Sequence, residues 1–183
     1  MTYEETLHYL YTSIPVFQHS GASAYKPGLD TSIALDNYLG NPHKAYKTIH
    51  VAGTNGKGSV SHLLAAILHQ AGYKVGLFTS PHLIDFRERI RVNGKMIPKE
   101  YVIDFVERHR TTFAPLHPSF FELTSTMAFD YFRAEEVDFA IIEVGMGGRL
   151  DSTNIYHSYP EYYHEYQSRP YPVPGRYGRK DRL

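Results

Sequence analysis

Seven consecutive residues, Gly53-Thr54-Asn55-Gly56-Lys57-Gly58-Ser59, hold the densest chemistry in this chain. Glycines let backbone N–H groups curl around a phosphate, and a helix that starts where such a loop ends adds partial positive charge. Lys57 adds a full one. The spacing departs from the standard phosphate loop at two places. Val51 stands where the first glycine would be, and Gly58 stands where a metal-binding Ser or Thr would follow the lysine. A nucleotide's metal therefore needs ligands from elsewhere. Ser80 and Glu143 are the candidates, because a hydroxyl and a carboxylate are hard oxygen ligands suited to Mg²⁺. For Ser80 a turn-capping role is an equal alternative. Glu143 follows Phe139-Ala140-Ile141-Ile142, and a carboxylate buried there needs a cation or donors.

These side chains need a scaffold that brings them together. Thr48 to Val51 reads as a strand running into the glycine loop. Val60, Leu63, Leu64, Ile67 and Leu68 then fall at helical spacing, with Gly72 as the stop. Val75 to Phe78 reads as the next strand, completing a βαβ unit and predicting a parallel sheet. That order argues against a glycine turn that merely opens a helix. Residues 139–144 form a short apolar strand, expected at the centre of the sheet. Parallel strands would put Ser80, Glu143 and the glycine loop at one edge, where open α/β sheets bind ligands.

The flanking elements are legible too. Thr2 with Glu5 and Ser119 with Glu122 are capping-box pairs that open helices. Asp30 or Thr31 is expected to cap a short helix that ends at Gly40-Asn41-Pro42. Asn93-Gly94 predicts a hairpin over 90–97. Pro98 suits the first turn of the helix after it. The fold class expected is α/β, a P-loop-type domain with a mainly parallel sheet and flanking helices.

Composition narrows the function classes. Basic and acidic side chains number 19 each, so no global field draws the chain to nucleic acid or an anionic membrane. There is no cysteine for a disulfide framework or a cysteine zinc site. No apolar run approaches the roughly 18 residues of a membrane helix, and the N-terminus lacks a signal-peptide core. A cytoplasmic protein is the expectation.

Three runs in order resemble the signatures of the folylpolyglutamate synthase/dihydrofolate synthase family, within the Mur ligase superfamily. They are Val51 to Ser59, then Thr79-Ser80-Pro81-His82-Leu83, then Glu143-Val144-Gly145-Met146-Gly147-Gly148-Arg149-Leu150-Asp151-Ser152-Thr153-Asn154. The resemblance covers residues 1–154 and implies the N-terminal ATP-binding domain of an enzyme that joins L-glutamate to dihydropteroate or a folate. It implies that Thr54, Asn55, Gly56, Lys57, Gly58 and Ser59 hold ATP, with Lys57 catalytic, and that Ser80 and Glu143 hold Mg²⁺. It implies pterin or folate contacts at Lys26, Pro27, Gly28, Ser119, Phe120, Phe121, Glu122, Leu150, Asp151 and Ser152. Phe120 and Phe121 offer flat apolar faces for a pterin, and core packing is an equal alternative for each. Asp151 could accept hydrogen bonds from pterin amino groups. The partners implied are ATP, dihydropteroate or folate, and L-glutamate, with no nucleic acid or membrane, in a monomer. The chemistry implied is phosphorylation of a carboxylate by ATP, then attack of the glutamate amine on the acyl phosphate.

The resemblance ends at Asn154. Residues 155–183 are rich in Tyr, Pro and Arg, with Ile155, Val173 and Leu183 as the aliphatics, and are expected to be disordered and to supply no buried strand. The family continues with a further strand, an Asp-His pair, a carbamylated lysine and a glutamate-binding domain. His157 and His164 are not in that Asp-His context. Codons read one base later across residues 159–175 permit Ile-Leu-Ser-Ile-Ile-Thr-Asn-Ile and then Asp-His-Thr-Gln-Phe-Leu. A frameshift near Asn154–Ile155 is therefore expected, leaving an incomplete domain inactive as a ligase. The rival readings are a non-catalytic nucleotide-binding fragment and another Mur-type amide ligase. A Rossmann oxidoreductase would need a helix after Gly145-Met146-Gly147-Gly148, and Arg-Leu-Asp-Ser-Thr-Asn follows instead.

Overall fold

Alternating side chains on three strands decide the architecture. In the computed structural model, which describes residues 1–12 and 28–155 and the backbone of Tyr162–Tyr163, β1 (Lys47–Ala52), β2 (Val75–Phe78) and β5 (Phe139–Glu143) run parallel. Ile49, Val51, Val75, Leu77 and Ile141 point to one face, with Val60, Leu64 and Leu68 of α3 (Lys57–Gln70) packed on them. Phe78, Ala140 and Ile142 point to the other face and join the main core. Period-two alternation on strands buried on both sides requires helices above and below.

The main core lies under α5 (Phe120–Ala134), whose residues from Glu122 to Phe132 are all buried. Its outer neighbours are α1 (Tyr3–Thr12), α2 (Asp30–Tyr38) and α4 (Lys99–Phe113). A helix buried all round must satisfy its polar side chains internally. Thr124 donates to the Phe120 carbonyl at 2.6 Å, Ser125 donates to the Glu122 carbonyl at 3.0 Å, and Tyr101 donates to Asp130 at 2.8 Å.

With β3 (Ile90–Val92), β4 (Lys95–Met96) and β6 (Tyr162–Tyr163), the sheet order is β4-β3-β2-β5-β1-β6, and β3 and β4 are antiparallel at one end. β5 is central, as its apolar run predicts. Asn93 and Gly94 both have positive φ, which the tight turn between β3 and β4 needs. The Thr2–Glu5 and Ser119–Glu122 capping boxes form. Two caps differ from expectation. Leu29 precedes α2 and no side chain caps it, so neither Asp30 nor Thr31 does. Pro98 is extended at φ −60°, ψ 145°, and stands one position before α4 rather than in its first turn. A proline needs no donor partner at that boundary, so both placements satisfy it.

The end of the chain also differs in part. The backbone of β6 (Tyr162–Tyr163) pairs parallel with Val51 and Ala52, covering the end of β1 nearest the glycine loop. No side-chain burial is needed for such a two-residue pairing. Ile155 is buried in the main core; residues 156–161 and 164–183, the frameshift segment among them, lie outside the described residues. No helix among the described residues is long and apolar enough to cross a membrane.

Phe132 is fully buried between α5 and the sheet. Phe132→Ala should cost about 3–5 kcal/mol, read as a lower urea midpoint. Ile67, 64% exposed on α3, should tolerate Ile67→Ser within about 0.5 kcal/mol.

Candidate functional site

Strand register brings the three signature loops to one edge. Val51 pairs with Glu143, and Phe78 pairs with Ile142. The glycine loop therefore leaves β1 level with Glu143, and Ser80 emerges two residues beyond the end of β2. β5 lies between the other two strands, so Glu143 stands between the two loops.

Gly56 has φ +77° where the loop turns into α3, a conformation that strains any residue with a Cβ. Lys57 Nζ donates back to the Gly53 carbonyl at 3.0 Å, so the ammonium closes across its own loop. Asn55, Gly56 and Ser59 are exposed, while Thr54, Lys57 and Gly58 are half-buried. Gly58 faces Glu143: a Cβ built there would lie 3.8 Å from Glu143 Oε1. The Ser or Thr of a standard phosphate loop is thus replaced by bare backbone with a carboxylate beside it.

Glu143 is 4% exposed. Its Oε2 accepts from the Ser80 backbone N–H at 3.0 Å. Burial raises its pKa, opposed by that hydrogen bond and by the positive fields of Lys57 and His62. A buried carboxylate with a single donor among the described residues and a hydroxyl-bearing residue beside it suits a hard cation that keeps phosphate and water ligands. Among the described residues no cluster of three His, Cys, Asp or Glu could hold a metal, so a cation here would depend on those outside ligands.

The loop after β5 is organised by Asp151, 5% exposed. Its Oδ2 accepts from the Met146 N–H at 2.7 Å. Its Oδ1 accepts from the Thr153 N–H at 3.0 Å and the Thr153 hydroxyl at 2.5 Å. Burial still raises its pKa against those bonds. The Thr153 hydroxyl spends its one proton on Asp151, so the 2.7 Å contact with His50 Nε2 is His50 donating. Burial pushes the His50 pKa down to about 4, keeping the ring neutral. His50 and Thr153 gave no sequence signal for this, because their contact spans 103 positions.

The residues predicted to touch a pterin separate into three groups. Phe120 is 5% exposed, stacked on Tyr11 with centroids 5.4 Å apart and edge-on to Phe86. Phe121 is half-buried, tilted against Phe78, and so close to Gly145 that an added Cβ there would meet the ring at 2.5 Å. Phe120 thus has the packed environment and Phe121 stands beside the loop after Glu143. Ser119 and Glu122 cap α5 through reciprocal bonds of 3.2 and 2.7 Å. Leu150 is 41% exposed and Ser152 half-buried beside the enclosed Asp151. Gly28, at φ +121°, precedes α2. Lys26 and Pro27 lie outside the described residues.

No protein-family model matches the chain. It is 44% identical over 137 residues to the dihydrofolate synthase/folylpolyglutamate synthase of Bacillus subtilis, covering 71% of this chain and 32% of that protein. The crystal structure of folylpolyglutamate synthase from Thermotoga maritima matches with TM-score 0.76 and 45% identity, over 85% of this chain and 36% of that one. E. coli FolC in complex with DHPP and ADP matches with TM-score 0.73 and 34% identity, over 85% and 36%. The chain spans about a third of the length of these relatives.

The buried Glu143 gives a pH test. Its folded pKa is raised, so its stability contribution is full below the unfolded value of about 4.3 and is lost as pH rises through the folded one. Glu143→Gln should therefore gain in melting temperature relative to the parent between pH 4 and pH 8, by calorimetry without metal. A parent that gains on the variant over that range would show a carboxylate stabilised by donors rather than held at a cost.

Proposed function

We propose that this relative of the folylpolyglutamate and dihydrofolate synthases is, over residues 1–154, the nucleotide-handling part of an ATP-dependent ligase that joins L-glutamate to a folate or dihydropteroate carboxylate. The observation that carries this reading is the edge where Lys57, Glu143 and Ser80 meet, on a sheet shared with folylpolyglutamate synthase structures. The ADP and DHPP bound to the E. coli relative support a nucleotide and a second substrate.

In this reading the N–H groups from Thr54 to Ser59 wrap the nucleotide's phosphates and the N-terminus of α3 faces them. Lys57 leaves the Gly53 carbonyl for a phosphate oxygen and balances charge on the transferring phosphoryl group. Glu143 and Ser80 would hold Mg²⁺, which supplies charge neutralisation on the phosphates. Gly58 carries no side chain, and Glu143 takes over the role of the usual hydroxyl. The acceptor's carboxylate oxygen attacks the γ-phosphorus and ADP leaves. The glutamate amine then attacks the acyl carbon and phosphate leaves, giving the amide. Phe121, Leu150, Asp151 and Ser152 border the acceptor side. Asp151 acts there mainly by shaping the loop, since both its oxygens already accept loop donors. The expected setting is the cytoplasm.

Lys57→Ala should weaken Mg·ATP binding by roughly 10- to 100-fold, because a charged hydrogen bond to the phosphates is lost. Isothermal titration of both proteins decides it. Equal affinities would remove the phosphate-loop assignment and the ligase reading with it.

A further inference from the structure

Arg89 is 3% exposed and has no carboxylate partner among the described residues. Its Nε donates to His82 Nδ1 at 2.7 Å, and its guanidinium carbon lies 5.2 Å from the centre of the Phe120 ring. Its terminal nitrogens have no acceptor among the described residues. The nearby acids are engaged elsewhere. Asp85 pairs with Arg87 and accepts from Tyr3, and Glu88 accepts from the N–H groups of Leu83, Ile84 and Asp85. Residues 13–27 contain no Asp or Glu. Neutral rings surround the guanidinium instead, and a buried arginine is ordinarily paired, because leaving its charge uncompensated is costly.

The position gives the cost a purpose. The Arg89 carbonyl accepts from the Thr79 N–H at 2.9 Å, which ties Arg89 to the residue next to Ser80. Its ring partner Phe120 adjoins Phe121, which lies against Gly145 of the loop after Glu143. Tyr11 and His82, both half-buried and 3.2 Å apart between Tyr11 Oη and His82 Nε2, form the outer wall. His82 has its Nδ1 committed as acceptor from Arg89, so its Nε2 carries the proton. The guanidinium is thus aligned from one side, with planar donors left over.

We propose that Arg89 is a specificity-determining residue of the acceptor site, binding the carboxylate of the folate or pteroate substrate through its terminal N–H groups. This rests on the ligase reading above. A guanidinium presents two parallel donors that match a carboxylate's two oxygens, which a lysine ammonium cannot copy. Tyr11, His82 and Phe120 fix its plane, so the pocket favours an acceptor with a free acid over one whose acid is masked.

The test uses the 183-residue protein, its Arg89→Met and Arg89→Lys variants, and two probes: pteroate and its carboxamide analogue, followed by pterin fluorescence. Arg89→Met should weaken pteroate binding roughly 10- to 100-fold and leave the carboxamide and Mg·ATP affinities unchanged. Arg89→Lys should recover only part of the loss. Because the charge has no carboxylate partner among the described residues, Arg89→Met should melt no lower than the parent. Inorganic phosphate separates the other anion source: phosphate that displaces pteroate from the parent, but not from Arg89→Met, supports an oxyanion site at Arg89. Equal losses for both probes, or a lower melting temperature with pteroate binding intact, would make Arg89 a packing residue and overturn the proposal. A parent that binds Mg·ATP and the carboxamide but shows no preference for the free acid overturns it and leaves the ligase reading standing. A parent that binds neither pteroate nor its carboxamide overturns both.

Discussion

The register of β5 between β1 and β2 is the constraint on which this structure depends. With Val51 opposite Glu143 and Phe78 opposite Ile142, three separate loops leave the sheet at one level. A one-residue slip would turn Glu143 to the other face of the sheet and Ile142 toward the loops. Register is held because both faces of β5 are buried: Ala140 and Ile142 under α5, Ile141 under α3. Packing on both sides leaves the strand a single alignment, and that alignment assembles the site.

Three buried charges at this edge are satisfied to different degrees, and the differences separate their roles. Asp151 accepts two backbone N–H groups and a hydroxyl within its own loop. A carboxylate so enclosed organises backbone. Glu143 is buried beside Gly58 with one backbone donor among the described residues. Arg89 has an imidazole and a ring but no counter-charge among the described residues. Folding would have removed such costs if stability alone mattered, since buried polar groups normally find partners. Sites that must accept a ligand keep unfilled bonding capacity, and the deficit rises from Asp151 to Glu143 to Arg89.

α5 links this edge to the rest of the core. Its Ser119–Glu122 box closes the first turn with no outside partner, so the helix can end at the site with its donors satisfied. Phe120 turns inward onto Tyr11 and Phe86, and Phe121 turns toward Gly145. Adjacent positions on one helix point about 100° apart, which is why two neighbouring phenylalanines have separate environments.

Much of this is legible in residue order. Short-range patterns gave the strands, the glycine loop, both capping boxes, the Asn93-Gly94 turn and the central place of residues 139–143, because each depends on neighbours within a few positions. The same local logic missed at Leu29, where neither candidate side chain caps the helix, and at Pro98, which stands one position before its helix. Which acids and bases are satisfied depends on contacts that close across long sequence separations. The bond from Ser80 to Glu143 spans 63 positions and that from His50 to Thr153 spans 103. The burial of Arg89 depends on Tyr11, His82 and Phe120 meeting from three distant segments. Arg89 reads in the sequence as one of several charges in a polar loop. Its isolation from the carboxylates of the described residues is a property of distances in space, and burial rather than residue type turns that isolation into a binding capacity.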